Sequence, residues 1–147
     1  MIKKQIEQDL IEAMKGKNEE AVSTLRMLKS AIKNSEIQKG QDSDESDILS
    51  IIQGQIKSRR DSIELYKKGN RLELAAKEEK EIEILVKYLP EQMNNEEIRV
   101  IVKKAITEIG ATGIQDMGKV MGKVMPELKG KADGGKISQI TKEELPH

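Results

Sequence analysis

What this 147-residue chain lacks excludes several classes of function. It contains no cysteine, phenylalanine or tryptophan. It has only two tyrosines, three prolines and one histidine, His147. The lack of cysteine excludes a disulfide framework, a thiolate metal site and a cysteine nucleophile. One histidine argues against histidine-based catalysis and against a multi-histidine metal centre. We therefore expect neither a metal nor a cofactor.

The chain also lacks long hydrophobic runs and an excess of charge of either sign. No apolar stretch approaches the roughly 18 residues that a membrane span requires. The first segment, MIKKQIEQDLIEAMKGK (1–17), alternates apolar and charged residues, whereas the core of a secretory signal would be continuously apolar. We therefore expect a cytoplasmic protein with no membrane partner. The 26 basic and 26 acidic residues balance, so any attraction to nucleic acid must come from a local patch.

An apolar repeat of helical period runs along nearly the whole chain. It predicts seven helices, four before Pro90 and three after it. Pro90 is expected to end the fourth helix, because proline lacks an N–H and restricts the residue before it. We predict an all-α fold, with a helical N-terminal domain over 1–90 and a small three-helix C-terminal domain over 94–147. Pro126 is expected to kink or divide the sixth helix.

Two charged residues fall on predicted apolar faces. At 100° per residue, Arg59 lies about 20° from the centre of the third helix's apolar stripe, and Glu79 falls inside the stripe of the fourth. Each lies ten residues from Gly69 at the intervening turn, so an antiparallel hairpin would place them at one level. We predict a partly buried Arg59–Glu79 ion pair that fixes hairpin register. The alternative is that Arg59 clamps a phosphate.

The sixth predicted helix combines a methionine-rich apolar face with small and basic residues. Gly118 and Gly122 share its flank, and each glycine costs about 1 kcal/mol relative to alanine. This cost predicts close approach of another backbone, either a packed helix or a sugar–phosphate strand. Lys119 and Lys123 follow on the adjoining side, where they would be solvated in the first case and would contact phosphates in the second.

A sequence near the C-terminus matches the phosphate-loop pattern but does not predict a nucleotide-binding loop. Residues 130–136 match G-x-x-x-x-G-K, but Ile137 stands where Ser or Thr would hold magnesium, and the preceding segment is helical. A nucleotide site is therefore not expected, although glycines and lysines at a helix N-terminus still suit a phosphate. No nucleophile elbow, amidase-type loop or convergent pair of carboxylates is present, so we predict no catalytic residues.

Three segments together resemble the YqeY-like family: TLRMLKSAIKNSEI (24–37), KSRRDSIELYKKGNRLELAAKEEKEIEILVKYLPEQM (57–93) and GATGIQDMGKVMGKVMPELKGKADGGKIS (110–138). The third also resembles the tail domain of GatB, a subunit of the amidotransferase that converts misacylated Glu-tRNA(Gln) or Asp-tRNA(Asn) to the amide. In GatB the tail engages tRNA, whereas a separate cradle domain carries the ATP, metal and transamidation chemistry. The resemblance therefore implies an all-helical fold and tRNA association without catalysis. The positions that match the tail are Gly118, Lys119, Met121, Gly122, Met125, Gly130, Lys131 and Ala132.

We accordingly expect a non-catalytic accessory protein that associates with tRNA and possesses a partner in the tRNA amidation machinery. The candidate RNA-binding residues are Gly118, Lys119, Gly122, Lys123, Lys129, Gly130, Lys131 and Lys136. Two alternatives stay open. One is a helical protein-interaction module that uses the methionine face or the Arg59 helix. The other is an enzyme of tRNA amidation, a carbon–nitrogen ligase with glutamine as amide donor, although the resemblance places that activity in GatB.

Overall fold

The computed structural model describes residues 1–146, and this part of the chain consists of helices and their connections, with no strand. The helices are α1 (Ile2–Lys15), α2 (Glu19–Lys39), α3 (Glu45–Lys68), α4 (Leu72–Val86), α5 (Asn95–Ile109), α6 (Met117–Leu128) and α7 (Gly134–Glu144), with a 3-10 helix (Ile114–Asp116) before α6. The predicted all-α fold, four helices followed by three, is confirmed. None of these helices is long and apolar enough to cross a bilayer.

Side-chain caps define where several helices begin. The Asp44 carboxylate accepts the backbone N–H of Asp47, and the Asp47 carboxylate accepts that of Asp44, which is a complete capping box. Asn94 accepts the N–H of Glu97 in the same way at the start of α5. Each cap satisfies an N–H that the first helical turn leaves without an internal partner, so these helix starts are fixed locally by sequence.

The first compact unit, Met1–Leu89, is built from α1 to α4. Its core consists of aliphatic side chains at helical spacing: Ile6, Leu10, Leu25, Leu28, Ile32, Ile48, Ile52, Ile56 and Leu85. A polar contact supplements this core, because the Tyr88 hydroxyl donates to the Asp9 carboxylate at 2.6 Å. Burial and this hydrogen bond raise the pKa of the Tyr88 phenol, which therefore stays protonated as the donor.

The second compact unit, from Pro90 onward, is built from α5, α6 and α7, each packed against the other two. Its buried core is Ile98, Val102, Ala105, Val120, Val124, Leu128, Ala132, Ile137, Ile140 and Leu145. Outside this core, Arg99 on α5 pairs with Glu144 at 2.5 Å and with Glu143 at 3.2 Å on α7. These partly exposed pairs add little stability compared with the aliphatic core.

The predicted Arg59–Glu79 pair is wrong in its acidic partner. The Arg59 guanidinium is buried in the α3–α4 hairpin, where it contacts Glu81 and lies 3.1 Å from Glu78. Glu79 is instead 52% exposed and pairs with Lys67 at 3.3 Å. The alternative phosphate clamp is also contradicted, because an Arg59 side chain only 8% exposed and held by two carboxylates offers no anion site.

The wrong partner has a simple geometric origin. Every residue from 77 to 81 is charged, so the apolar period does not constrain this part of α4. Glu79 was expected to be buried because it falls between Ala75 and Ile82 on the apolar stripe, but Ile82 is only partly buried, whereas Leu85 of the same stripe is completely buried. The buried side of α4 is consequently rotated by about 60–80° from the expected direction, toward Glu78 and Glu81.

Pro126 does not divide the sixth helix, since it lies inside α6, which continues to Leu128. The hydrogen bond that proline removes is the one to the carbonyl four residues earlier, at Gly122. Both Gly122 and Pro126 are exposed, so water can solvate the carbonyl that has lost its donor. The helix therefore tolerates this proline at lower cost than a buried position would allow.

Candidate nucleic-acid interface

Helix α6 has one side buried in the second unit and one side in solvent. Val120, Val124 and Leu128 are completely buried at i, i+4 and i+8 and fix the rotation of the helix. The loop before α6 is ordered by Asp116, whose carboxylate accepts the backbone N–H of Thr112 at 2.9 Å. That hydrogen bond is the main reason that the pKa of Asp116 lies below its ordinary value. The exposed side of α6 is thus held in a defined orientation.

The two glycines of α6 lie on its exposed side. A Cβ atom placed on Gly118 or Gly122 would meet no atom of residues 1–146 within 4 Å beyond the local helix backbone. No neighbouring helix therefore explains their presence, which removes tight helix packing as the compensation for their low helix propensity. What remains is a smooth strip of helix backbone that is open to solvent.

The carbonyl of Gly122 adds a hydrogen-bond acceptor to this strip. Pro126 supplies no N–H to it, so this carbonyl lacks the donor that an interior helix residue four positions later would provide. An exposed backbone carbonyl of this kind can accept a hydroxyl or amide donor from a ligand. This acceptor was not expected from the sequence, although the G-x-x-x-P spacing of residues 122–126 indicates it.

The lysines of α6 differ in their availability. Lys119 is exposed and forms no ion pair within the described residues. Lys123 lies 2.5 Å from the Glu108 carboxylate on α5, and this hydrogen bond lowers the pKa of Glu108. A phosphate that approached Lys123 would have to compete with that carboxylate, so Lys119 is the stronger phosphate candidate of the two.

The connection between α6 and α7 presents two lysines around a buried glycine. Gly130 has a φ of +79°, and its carbonyl accepts the side-chain amide of Gln92 at 2.7 Å. Its role is to make this left-handed turn, since its buried position keeps it from the surface on which it was expected to meet RNA. Lys129 and Lys131 on either side are exposed, and the Lys131 carbonyl accepts the Met93 N–H at 2.9 Å.

The start of α7 is less suited to phosphate than its glycines suggest. Asp133 caps the helix by accepting the backbone N–H of Lys136 at 3.3 Å. Its carboxylate already occupies the electropositive end of the helix, where it would repel an anion. Lys136 remains exposed on the first turn. The segment before residue 130 is helix α6, which agrees with the absence of a phosphate-loop architecture.

The structure keeps Gly118, Lys119, Gly122 and Lys123 on the exposed side of one helix, whereas Lys129, Lys131 and Lys136 lie on the following loop and on α7.

No group of three or more acidic or histidine side chains arranged for a metal occurs among residues 1–146. A row of cations on α2 was likewise not expected from the sequence. It consists of Arg26, Lys29 and Lys33, whose i, i+3, i+7 spacing places them along one side of the helix.

Several curated fungal proteins are similar to this chain. The protein named "Altered inheritance of mitochondria protein 41, mitochondrial" from Pyrenophora tritici-repentis is 34% identical over 129 residues, which are 86% of this chain and 71% of that protein. The proteins of that name from Lachancea thermotolerans and Saccharomyces cerevisiae are 38% and 33% identical, over 71% and 79% of this chain and 57% and 66% of their own lengths. The chain thus matches only part of each relative.

These names contradict the cytoplasmic localisation expected from the sequence, because the similar fungal proteins are named as mitochondrial. The expectation depended on the lack of a membrane span and of a secretory signal. Neither feature distinguishes one aqueous compartment from another, since a small all-helical protein folds in either by burying the same aliphatic side chains.

The family model described as Yqey-like protein matches residues 3–145 of the chain. The match extends over all seven helices, so it includes the exposed side of α6 as well as the α3–α4 hairpin. The resemblance identified from three sequence segments is thereby confirmed. This chain belongs to the Yqey-like protein family.

Proposed function

We propose that this chain is a non-catalytic accessory protein that associates with tRNA through the second unit. The proposed contact surface, called here the α6 surface, consists of Gly118, Lys119, Gly122, Lys129, Lys131 and Lys136. The observation that carries the proposal is the open strip at Gly118 and Gly122. Two exposed glycines one helical turn apart on the uncovered side of α6 are costly for the fold alone, and a closely approaching ligand backbone gives the pair a use.

The resemblance of residues 110–138 to the tRNA-engaging tail of GatB supports tRNA as the ligand. The chemistry of the α6 surface supports backbone recognition rather than base recognition. Both tyrosines lie in the first unit, and the second unit's sequence contains no tyrosine, phenylalanine or tryptophan to stack on bases. The exposed lysines supply phosphate contacts, and the Gly122 carbonyl supplies an acceptor for a ribose 2′-hydroxyl.

This mode of binding predicts a definite salt dependence. If the four exposed lysines of the α6 surface each neutralise one phosphate, log K should fall with log salt with a slope of about −3 to −3.5. Affinity for tRNA should then fall about 50- to 150-fold between 50 and 200 mM salt. A 2′-hydroxyl contact further predicts that an RNA hairpin binds more tightly than the DNA hairpin of the same sequence.

A gel-shift titration with total tRNA tests the proposal. Reversing two charges, Lys119→Glu with Lys131→Glu, should weaken binding at least about 10-fold and reduce the salt slope by about 2. The matched control reverses Lys104 and Lys142, which are exposed lysines of the same unit outside the α6 surface. An equal loss of tRNA affinity in the control variant would mean that the effect arises from the change in net charge and not from the α6 surface. Absence of binding by the wild-type chain at low salt would reject tRNA association altogether.

A further inference from the structure

The first unit contains a groove that the tRNA proposal does not use. It lies between α1 and α2 and has a volume of about 640 Å³. Ile6 and Leu10 of α1 and Ile32 of α2 form its apolar floor. The aliphatic stems of the basic side chains on α2 extend this apolar lining toward the rim. The groove is thus apolar at the bottom and charged at the edge.

The two walls of the groove carry different charge. Arg26, Lys29 and Lys33 line the α2 wall, are exposed, and form no ion pair anywhere in residues 1–146. On the other side, Lys3 is bound to Glu36 at 2.8 Å, and Glu7, which forms no ion pair within residues 1–146 although Lys3 attracts it, is the acidic residue of the α1 wall. The α2 wall is therefore strongly positive and the α1 wall weakly negative.

The spacing of the α2 cations defines what they can match. At 1.5 Å rise per residue, Arg26 and Lys33 are separated by about 10.5 Å along α2, with Lys29 between them on the same side. Carboxylates at i, i+3 or i+4, and i+7 of another helix have the same spacing. A helix with such an acidic row and an adjoining apolar stripe would complement both the wall and the floor.

We propose that the α1–α2 groove is a docking site for an acidic amphipathic helix of a partner protein. The apolar stripe of that helix lies over the floor, its acidic row faces Arg26, Lys29 and Lys33, and a basic residue on its opposite edge faces Glu7. RNA fits less well, because a phosphate chain has no apolar face to place on the isoleucine and leucine floor. The proposal concerns the first unit alone and does not depend on tRNA binding by the second.

The probe is a fluorescent synthetic peptide of about four helical turns, with glutamates in the acidic row and leucines in the stripe. A scrambled peptide of the same composition is the control ligand. Fluorescence anisotropy with the full chain should show saturable binding of the patterned peptide and at least about 10-fold weaker binding of the scrambled one. Equal affinities, or no binding of the patterned peptide up to about 1 mM, would overturn the proposal.

Charge variants locate the site. Reversing Arg26, Lys29 and Lys33 to glutamate should weaken peptide binding by about 10-fold or more, because three ion pairs become repulsive. The matched control reverses Lys57, Arg60 and Lys68, which are exposed on α3, and should change affinity less than about 3-fold. Equal losses in the two triple variants would overturn the proposal, as would a groove variant that loses tRNA affinity and keeps peptide affinity.

Two single substitutions test the groove without removing its cations. Ser30→Trp fills the groove from an exposed lining position and should weaken binding of the patterned peptide about 10-fold. Glu7→Lys makes the α1 wall positive and should tighten binding of a purely acidic peptide about 3-fold, but not that of a peptide with a lysine on the facing edge. Unchanged affinity in Ser30→Trp would overturn the proposal even if the triple variant failed to fold.

Discussion

Replacing Gly118 and Gly122 by alanine should stabilise the second unit and weaken tRNA binding at the same time. Neither new methyl group meets another part of the described chain within 4 Å, so the fold accepts both without strain. Opposite signs in stability and affinity are the signature of glycines kept for a ligand rather than for the fold. This combination separates the α6 surface from an ordinary solvent-exposed helix side.

The magnitude follows from helix propensity and from position in the helix. Gly122 lies in the interior of α6, where alanine is favoured over glycine by about 0.8–1 kcal/mol. Gly118 is the second residue of α6, and its contribution should be smaller, about 0.4 kcal/mol. The double variant should therefore gain about 1–1.5 kcal/mol in the free energy of unfolding of the second unit. Its affinity for tRNA should fall about 3- to 10-fold, the cost of one lost hydrogen bond at the strip.

The assay must report on the second unit specifically. Both tyrosines lie in Met1–Leu89, so tyrosine fluorescence follows the first unit, and amide hydrogen exchange of α5 and α6 is the suitable stability measurement. Gly54→Ala is the matched control, because Gly54 is an exposed interior glycine of α3 with the same open surroundings. It should stabilise the first unit and leave tRNA affinity unchanged. Loss of stability in the double variant, or a gain with unchanged tRNA affinity, would refute the reasoning.

Two further predictions concern the ion pairs. Glu81→Gln should lower the free energy of unfolding of the first unit by about 3 kcal/mol, because it removes the principal counter-charge of the buried Arg59. Glu79→Gln should change that free energy by less than about 0.5 kcal/mol, because its ion pair is exposed. Urea titrations followed by tyrosine fluorescence measure both variants. The second unit should lose stability in acid, because the hydrogen bond that Glu144 accepts from Arg99 lowers the pKa of Glu144 below the ordinary value of 4.5. A carboxylate with a lowered pKa stabilises the fold above its unfolded-state pKa and loses that contribution as pH falls through its folded-state pKa. Hydrogen-exchange protection of the second unit should therefore be level from pH 7 to about 5.5 and fall below about pH 4.5. The fall should be less steep in the Glu144→Gln variant.

The fold followed from the sequence wherever the apolar period was uninterrupted. The helices of the second unit were predictable because Val120, Val124 and Leu128 repeat at helical spacing and Asn94 marks a cap. The rotation of α4 was not, because consecutive charged residues contain no apolar period, and only the position of α3 selects Glu81 over Glu79 as the buried partner.

The candidate site was predictable in its residues but not in its environment. A pair of glycines one helical turn apart is equally compatible with a covering helix and with open solvent, and only the packing of the second unit decides between them for Gly118 and Gly122. The pairing of Lys123 with Glu108 likewise depends on the relative position of α5 and α6. The buried turn at Gly130 required the contact from Gln92, which is distant in sequence.

The most direct test of tRNA association maps where RNA touches the chain. The full-length protein is photocrosslinked to 4-thiouridine-substituted tRNA, the RNA is digested, and the peptides that retain a nucleotide are identified by mass spectrometry. We predict crosslinks in residues 117–136, with a strong reduction in the Lys119→Glu, Lys131→Glu variant and their persistence in the Lys104→Glu, Lys142→Glu control. Crosslinks confined to residues 1–89, or none at an RNA concentration that saturates binding, would contradict the account.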